Sequence, residues 1–170
     1  SIAAFADDAA STTKDNSGAI KFSDVGDSEI YTDAVKTLNL MGVINGYPDG
    51  TFKPNDNVTR AEFTAMLMRT LKLGSIGSTS AAELPFSDVD DNNSDINWAI
   101  PNINTAYARG VINGYEDGTF RPSANVAYEE AVKMIVCTLG YGANVDVSIT
   151  PWYANFIQIG SQLGITKTAQ

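Results

Sequence analysis

Apolar residues recur every three or four positions in four stretches of this chain, a spacing that predicts four amphipathic helices. The first and third stretches run up to a glycine, Gly42 or Gly110. Glycine suits a helix C-cap because it tolerates positive φ. The predicted apolar faces consist, in chain order, of Ala34, Val35, Leu38 and Met41, then Phe63, Met66, Leu67 and Leu71, then Ile103, Ala106 and Val111, and finally Ala131, Met134, Ile135 and Leu139.

Two nearly identical polar segments join these helices in pairs. One reads NGYPDGTFKPN from position 45 to 55, and the other reads NGYEDGTFRPS from 113 to 123, which is 68 positions later. Each contains an Asp-Gly pair, which predicts a tight turn because glycine supplies left-handed φ and aspartate accepts local backbone hydrogen bonds. We expect Phe52 and Phe120 to pack inward, and Pro54 and Pro122 to end any strand that the turn contains.

The whole chain is organised around this repetition. The tetrapeptide FSDV precedes the first helix at 22–25 and the third at 86–89. A third copy begins near the C-terminus, because Trp152 precedes Gly164 by the same twelve residues that separate Trp98 from Gly110. The predicted organisation is an N-terminal segment (1–18), repeat 1 (19–74), a Ser- and Gly-rich linker (75–84), repeat 2 (85–142) and a partial repeat 3 (143–170).

Composition narrows the classes of function. The chain has 44% hydrophobic residues, enough for a core, and 20 acidic against 11 basic residues, a net charge of −9 that argues against a nucleic-acid partner. It has no histidine and a single cysteine, Cys137, which excludes histidine-based hydrolytic triads and zinc sites built from histidine or several thiolates. Cys137 lies in an apolar run and is predicted to be buried. No apolar run reaches the roughly 20 residues that span a bilayer.

Two further segments have alternative interpretations. Ala4-Phe5-Ala6 has the small-x-small form of a signal-peptidase site, so residues 1–18 are either a secretory remnant or a flexible arm. The acidic stretch from Asp88 departs from a calcium loop, with Asn93 at position six and Ala99 at position twelve, so we interpret it as a connecting loop without metal. No pair of carboxylates is positioned for glycoside hydrolysis, and an enzyme is not predicted.

The motifs FSDV, GVINGY-x-DGTF-x-P and TRAE, in that order, resemble the S-layer homology repeat. The resemblance implies a mainly α fold, in which helical repeats form a pseudo-threefold bundle that is incomplete here at the C-terminus. It also implies a secreted, non-catalytic anchor on the bacterial cell surface, without cofactor, that binds secondary cell-wall polysaccharide, often pyruvylated, in grooves between repeats. The alternative is a structural subunit of a surface layer, held mainly by contacts with copies of itself or other surface proteins.

The resemblance places ligand contacts on the TRAE segment, here Thr59 to Glu62. Thr59 and Glu62 have the spacing of a capping box, which gives both a structural role beside the binding one. Arg60 is not explained by capping, because a positive charge opposes the dipole at a helix N-terminus. Its planar fork suits a carboxylate such as a pyruvyl group, so we expect Arg60 to be the main ligand contact. The alternative is a solvated or salt-bridged surface arginine.

Repeat 2 has Ala127-Tyr128-Glu129-Glu130 where repeat 1 has TRAE. The capping hydroxyl and the arginine are both missing there, so its groove is expected to have lost the carboxylate contact, although Tyr128 could stack on a sugar. Lys53 is a further candidate for polysaccharide binding; it and Arg121 follow the two turns at equivalent positions, and each is alternatively a surface cation. Trp98 and Trp152 are interpreted as anchors at the edge of the core rather than as platforms for a sugar.

Overall fold

The computed structural model describes residues 13–74, 76–146 and 148–166. Within these ranges the chain forms five α-helices joined by turns, with 3₁₀ turns at Asn97–Ala99 and Gly142–Asn144 and no β-strand. The mainly α fold predicted from the sequence is therefore confirmed. The helices are α1 (Thr32–Leu40), α2 (Arg60–Thr70), α3 (Ile100–Ala108), α4 (Tyr128–Thr138) and α5 (Ala154–Gln162). None of these helices is long and apolar enough to cross a membrane.

The second helix of each repeat packs against the first helix of the next repeat. Helix α2 lies along α3, and α4 lies along α5, while α2 and α4 also meet near their N-termini. The largest apolar cluster forms at the α2–α3 junction around Met68, Ile100, Ile103 and Phe120. The chain is therefore held together by contacts between successive repeats as well as by contacts within each one.

Two smaller apolar clusters flank this core. Val132 and Val136 of α4 pack against Phe156 of α5. On the other side, α1 contributes Val35 to a cluster with Phe22, in which Met66 is the contribution of α2.

The predicted apolar faces are right for α3, where Ile103, Ala106 and Val111 are all buried. They are partly wrong elsewhere. On α1, Ala34 and Met41 are exposed rather than buried. Met41 is the C-cap of α1, one residue after the last helical residue, so it lies beyond the helical face on which its spacing placed it.

In α2 and α4, the second helices of the two repeats, the buried face differs in part from the predicted one. In α2 the residues closest to the core are Ala61, Ala65 and Met68, and the predicted Phe63 and Leu67 cover the edge. Small side chains let the backbone of α2 approach α3 closely, so they occupy the centre of the contact. The remaining half-buried members of the predicted faces are Leu38, Met66, Leu71, Ala131 and Ile135.

Helix α4 packs against the main core on one side and against α5 on another, whereas the sequence predicted a single apolar face. Met134 joins the main core as predicted, whereas Val132 and Val136 face α5. Leu139, predicted to be buried, is exposed just beyond the end of α4.

The repeated turns are fixed by the FSDV motif that precedes them. In repeat 2 both carboxylate oxygens of Asp88 accept backbone hydrogen bonds, from Phe120 and Arg121, each at 2.7 Å. Arg121 has φ of 57°, a left-handed conformation that is unusual for a residue with a side chain. Asp24 binds the backbone of Phe52 and Lys53 in the same way in repeat 1.

Phe120 is fully buried and Phe52 is half-buried, so the prediction that both pack inward is confirmed.

Residues on either side of repeat 1 also pack against helices. Residues 13–18 turn back toward α1, with Asp15 3.7 Å from Lys36 of that helix. In the linker, the carbonyls of Ser78 and Ser80 accept hydrogen bonds from the Asn104 amide of α3 at 2.9 and 2.8 Å. The motif at positions 4–6 lies outside the described residues, so its interpretation as a signal-peptidase site stays a prediction.

Candidate functional site

A groove of about 1070 Å³ lies between repeat 2 and the start of repeat 3. One wall is the glycine-rich turn 110–117 and another is α4. Trp152 and Phe156 of the third repeat close the far side, and Arg60 enters from repeat 1. The charged residues that line the groove are Arg60, Arg109, Glu116, Asp117, Arg121, Glu130 and Lys133.

Arg60 reaches this groove because the N-terminus of α2 is inserted into repeat 2. The backbone N–H groups of Arg60 and Ala61 donate to the carbonyl oxygens of Ala124 and Pro122, at 2.9 and 3.0 Å. A helix leaves its first N–H groups without partners inside the helix, so these carbonyls complete the hydrogen bonding of α2. The side chain at position 60 is thereby directed into the neighbouring repeat.

The Arg60 side chain is 7% exposed and contacts three residues of repeat 2. Its Nε donates to the Phe120 carbonyl oxygen at 2.8 Å, and its Nη1 lies 3.0 Å from Glu130 Oε2. The guanidinium carbon lies 4.6 Å from the centre of the Tyr115 ring. Arg60 is thus salt-bridged, as its alternative interpretation held, but it is buried at a junction between repeats rather than on the surface.

Glu130 is the carboxylate that joins Arg60 to the residues of repeat 2 in this part of the groove. It accepts hydrogen bonds from the Tyr115 hydroxyl at 2.5 Å and from the Ala127 backbone N–H at 3.0 Å. Burial pushes the pKa of Glu130 upward, but these two hydrogen bonds and the Arg60 charge together hold it below its ordinary value. The carboxylate is therefore ionised at neutral pH and neutralises Arg60.

The predicted capping box at the start of α2 is confirmed. Thr59 Oγ1 accepts from the Glu62 N–H at 3.3 Å, and Glu62 accepts from the Thr59 N–H at 2.8 Å. Ala127 has no hydroxyl, so α4 keeps the glutamate half of the box alone. Neither Thr59 nor Glu62 lines the groove.

Two other cations of the groove belong to repeat 2. Arg121 Nη2 lies 2.7 Å from Asp117 Oδ2, and its guanidinium stacks 4.0 Å from the centre of the Tyr115 ring. A hydrogen bond from the Thr119 hydroxyl, followed by the one from Arg121, lowers the pKa of Asp117 to about 2, so this pair is ionised throughout the neutral range. Arg109 caps the C-terminus of α3 and is exposed at the rim of the groove.

Lys133 projects from α4 into the same groove and is half-buried there. Its Nζ lies 5.7 Å from the centre of the Trp152 ring. Burial, helped by the nearby Arg60 charge, lowers the pKa of Lys133 below that of free lysine, although Cys137 and Glu130 act in the opposite direction. Cys137 itself is half-buried and lines the groove, a correction to its predicted place wholly within the core.

Like Thr59 and Glu62, the other two sequence-predicted binding residues, Lys53 and Tyr128, do not line this groove. Lys53 lies 3.7 Å from Asp49 and over the Tyr47 ring at 4.1 Å, an arrangement within repeat 1. Tyr128 is 60% exposed on the first turn of α4. Their role in polysaccharide binding stays a prediction.

Lys133, Arg109 and Tyr115 line the groove but were not predicted from the sequence, and Trp152, interpreted there as an anchor at the edge of the core, lines it too. A signal for Lys133 was present, since the 68-residue register of the repeats aligns it with Ala65. No sequence signal placed Trp152 opposite Lys133, because that distance depends on how α4 and α5 pack.

The family model of the S-layer homology domain matches this chain at residues 21–64 and 85–132, one match in each full repeat. A cellulosome-anchoring protein of Acetivibrio thermocellus is 37% identical over 125 residues, 73% of this chain and 27% of that protein.

An endoglucanase of a Bacillus species is 36% identical over 79% of this chain and 13% of its own length. A surface layer protein of Brevibacillus choshinensis is 32% identical over 78% of this chain and 11% of its own length. The chain thus spans about a quarter or less of the length of these relatives. The two matched repeats together cover more than half of the chain, and the chain belongs to the S-layer homology domain family.

Proposed function

We propose that this chain is a non-catalytic anchoring module that attaches a protein to the bacterial cell surface by binding secondary cell-wall polysaccharide. The observation that carries the proposal is the groove, where the four cations Arg60, Arg109, Arg121 and Lys133 outnumber the three carboxylates of Glu116, Asp117 and Glu130 within a chain of net charge −9. A concentration of cations in an otherwise acidic molecule favours an anionic ligand. The relatives support a surface role, since they include proteins named for anchoring and for a surface layer.

The groove also suits a sugar that carries a carboxylate, such as a pyruvylated residue. Trp152 is 44% exposed and offers an apolar ring to a sugar face, and cations lie beside it. Among the predicted TRAE contacts, we propose that Arg60 acts in this groove, while Thr59 and Glu62 support it by starting α2. The endoglucanase matches over 13% of its length, a share that fits an attached module without catalytic residues.

Cosedimentation with cell walls tests this function. Walls of Acetivibrio thermocellus, the source of one relative, would be compared before and after acid extraction of the secondary polysaccharide. We expect the protein to pellet with the intact walls and to stay in the supernatant with the extracted ones. Equal pelleting with both kinds of wall would contradict polysaccharide binding.

The alternative, a structural subunit held by protein contacts, has one observation in its favour. Apolar side chains are exposed at both ends of α1, where Ile30 is 99% exposed and Leu40 and Met41 about half. Such a patch is a surface that another chain could cover. Light scattering over a range of protein concentrations tests this alternative, which requires a mass that rises with concentration.

A further inference from the structure

We propose that Lys133 is the residue that binds the anionic substituent of the ligand, and that the groove of repeat 2 is the binding groove of this chain. The proposal rests on the polysaccharide-binding function above and specifies it. It reverses the sequence-based expectation that repeat 2 had lost its carboxylate contact, because the groove of repeat 2 receives Arg60 from repeat 1 and supplies a lysine of its own.

Two of the other three cations in the groove are already paired with carboxylates. Arg60 is neutralised by Glu130 at 3.0 Å, and Arg121 by Asp117 at 2.7 Å. A ligand anion would have to compete with these carboxylates. Lys133 has no hydrogen-bond or ion-pair partner within residues 13–74, 76–146 and 148–166. Its charge is therefore available to a ligand.

The Lys133 charge is partly shielded from solvent and lies beside an aromatic ring. Lys133 is half-buried, whereas Arg109, which also has no carboxylate partner among the described residues, is exposed at the rim. An ammonium that has lost part of its hydration gains more from an incoming anion than an exposed charge screened by water and salt does. The Trp152 ring at 5.7 Å places an apolar surface for the sugar beside the group that would hold its negative charge.

The two repeats differ at the positions equivalent to Lys133 and Lys72. Ala65 stands where repeat 2 has Lys133, and it is fully buried against α3. In repeat 1, Lys72 Nζ donates to the Met41 carbonyl oxygen at 2.7 Å, so its side chain lies across the space beside the end of α1. The equivalent of Lys72 in repeat 2 is Gly140, which lines the groove and has open space where a Cβ would be.

Repeat 1 therefore has no lysine at the position of Lys133 but has Lys72 across the corresponding space, and repeat 2 has the reverse arrangement. The ligand class is the carboxylate-bearing sugar of the proposed function, whose single negative charge the Lys133 ammonium can neutralise by a charge-assisted hydrogen bond.

Isothermal titration calorimetry on the full chain tests the role of Lys133. The probes are the methyl glycoside of a 4,6-O-pyruvylated hexosamine and the methyl ester of the same compound, which has the same shape without the charge. We expect Lys133→Met to weaken binding of the acid by roughly tenfold or more, the size of a charge-assisted contact, and to leave binding of the ester unchanged. Lys72→Met is the matched control in repeat 1 and should bind both probes like the unmodified chain.

Three outcomes would overturn the proposal: no binding of the acid by the unmodified chain, unchanged binding of the acid by Lys133→Met, or an equal loss for the acid and the ester. Circular dichroism melting of each variant shows that the fold is kept. Lys133→Arg, which keeps the charge, should retain most of the affinity for the acid. Wall cosedimentation separates the two levels: if the unmodified chain and Lys133→Met pellet equally with intact walls, the anchoring function stands and the role of Lys133 does not.

Discussion

At the scale of single residues, Arg60 has a structural role that its chemistry alone did not reveal. Its guanidinium is buried against Glu130 and the Phe120 carbonyl, so truncation would leave an ionised carboxylate buried without its partner. We expect Arg60→Ala to lower the free energy of unfolding by about 3 to 5 kcal/mol, the usual cost of breaking a buried pair. Urea denaturation followed by circular dichroism measures this change.

A double variant separates loss of the pair from loss of packing. Arg60→Met with Glu130→Gln removes both charges and keeps side chains of similar size, so it should recover much of the stability lost in Arg60→Ala. Arg121→Ala is the exposed control, because the Arg121–Asp117 pair is about half exposed on both sides and should contribute less than about 1 kcal/mol. Arg60→Met alone keeps the bulk of the side chain but leaves Glu130 unpaired, so equal stability of this single variant and the double variant would show that the uncompensated charge carries no cost and that the loss in Arg60→Ala lies in packing.

Gly114, the glycine of the NGY motif in repeat 2, occupies a position that requires glycine. Gly114 has φ of 74°, and a Cβ there would lie 2.5 Å from the Phe86 ring and 2.7 Å from the Thr119 carbonyl oxygen. Gly118, four residues later, has φ of 77° with open space around it. Gly118→Ala should therefore cost about 1 to 2 kcal/mol of stability, the price of a left-handed residue with a Cβ.

Gly114→Ala adds a steric clash to that same conformational term, so we expect it to cost at least about 1 kcal/mol more than Gly118→Ala. Thermal and urea unfolding of the two variants under the same conditions gives the comparison. Equal losses would show that Phe86 moves aside without cost and that the FSDV phenylalanine does not fix the turn.

At the scale of helices, the two repeats differ in the completeness of their capping boxes. Thr59 and Ala127 have nearly the same backbone conformation, with φ of −77° and −75°, and each is followed by a glutamate that accepts its N–H. Ala127→Thr should supply the missing hydroxyl and stabilise the chain by about 0.5 to 1 kcal/mol, whereas Thr59→Ala should destabilise it by about 1 kcal/mol. Opposite signs in urea denaturation would establish the effect, and a destabilising Ala127→Thr would contradict it.

Much of each helix could be predicted from the sequence, because its determinants are local. The Thr59–Glu62 box and the glycines that end α1 and α3 depend on residues a few positions apart. The partners of each helix could not be predicted in the same way. Val132 and Val136 lie outside the predicted apolar face of α4, and they are buried because α5 packs against them.

The candidate site shows the same limit. Arg60 was identified by its chemistry, but its groove belongs to the other repeat, and the hydrogen bonds to Ala124 and Pro122 that direct it there are long-range. Lys133 was not predicted from the sequence, because it lies between apolar residues of a helix whose pattern indicates only packing. Its significance depends on Trp152, which α5 brings to within 5.7 Å.

At the scale of the whole molecule, the pairing of successive repeats leaves α1 in a different environment from the other first helices. Helix α3 is packed along α2, and α5 along α4. Helix α1 rests mainly on the turn of its own repeat, in a cluster whose fully buried members are Phe22, Val35, Val43 and Ile44. The cluster around α3 is several times larger. Local stability should follow this difference, since opening of a segment depends on the apolar surface that it buries.

We therefore expect the backbone amides of α1 to exchange with deuterium faster than those of α3, the helix at the equivalent place in repeat 2. Both helices have nine residues and end at a glycine with positive φ, so intrinsic helix length and capping do not favour either one. Hydrogen–deuterium exchange followed by mass spectrometry, with peptides covering 32–40 and 100–108, measures the two rates in one sample. The expected result is weaker protection of α1 at every protein concentration. Equal protection in dilute protein would contradict this account, and protection of α1 that appeared as the concentration rose would show that another copy of the chain covers it.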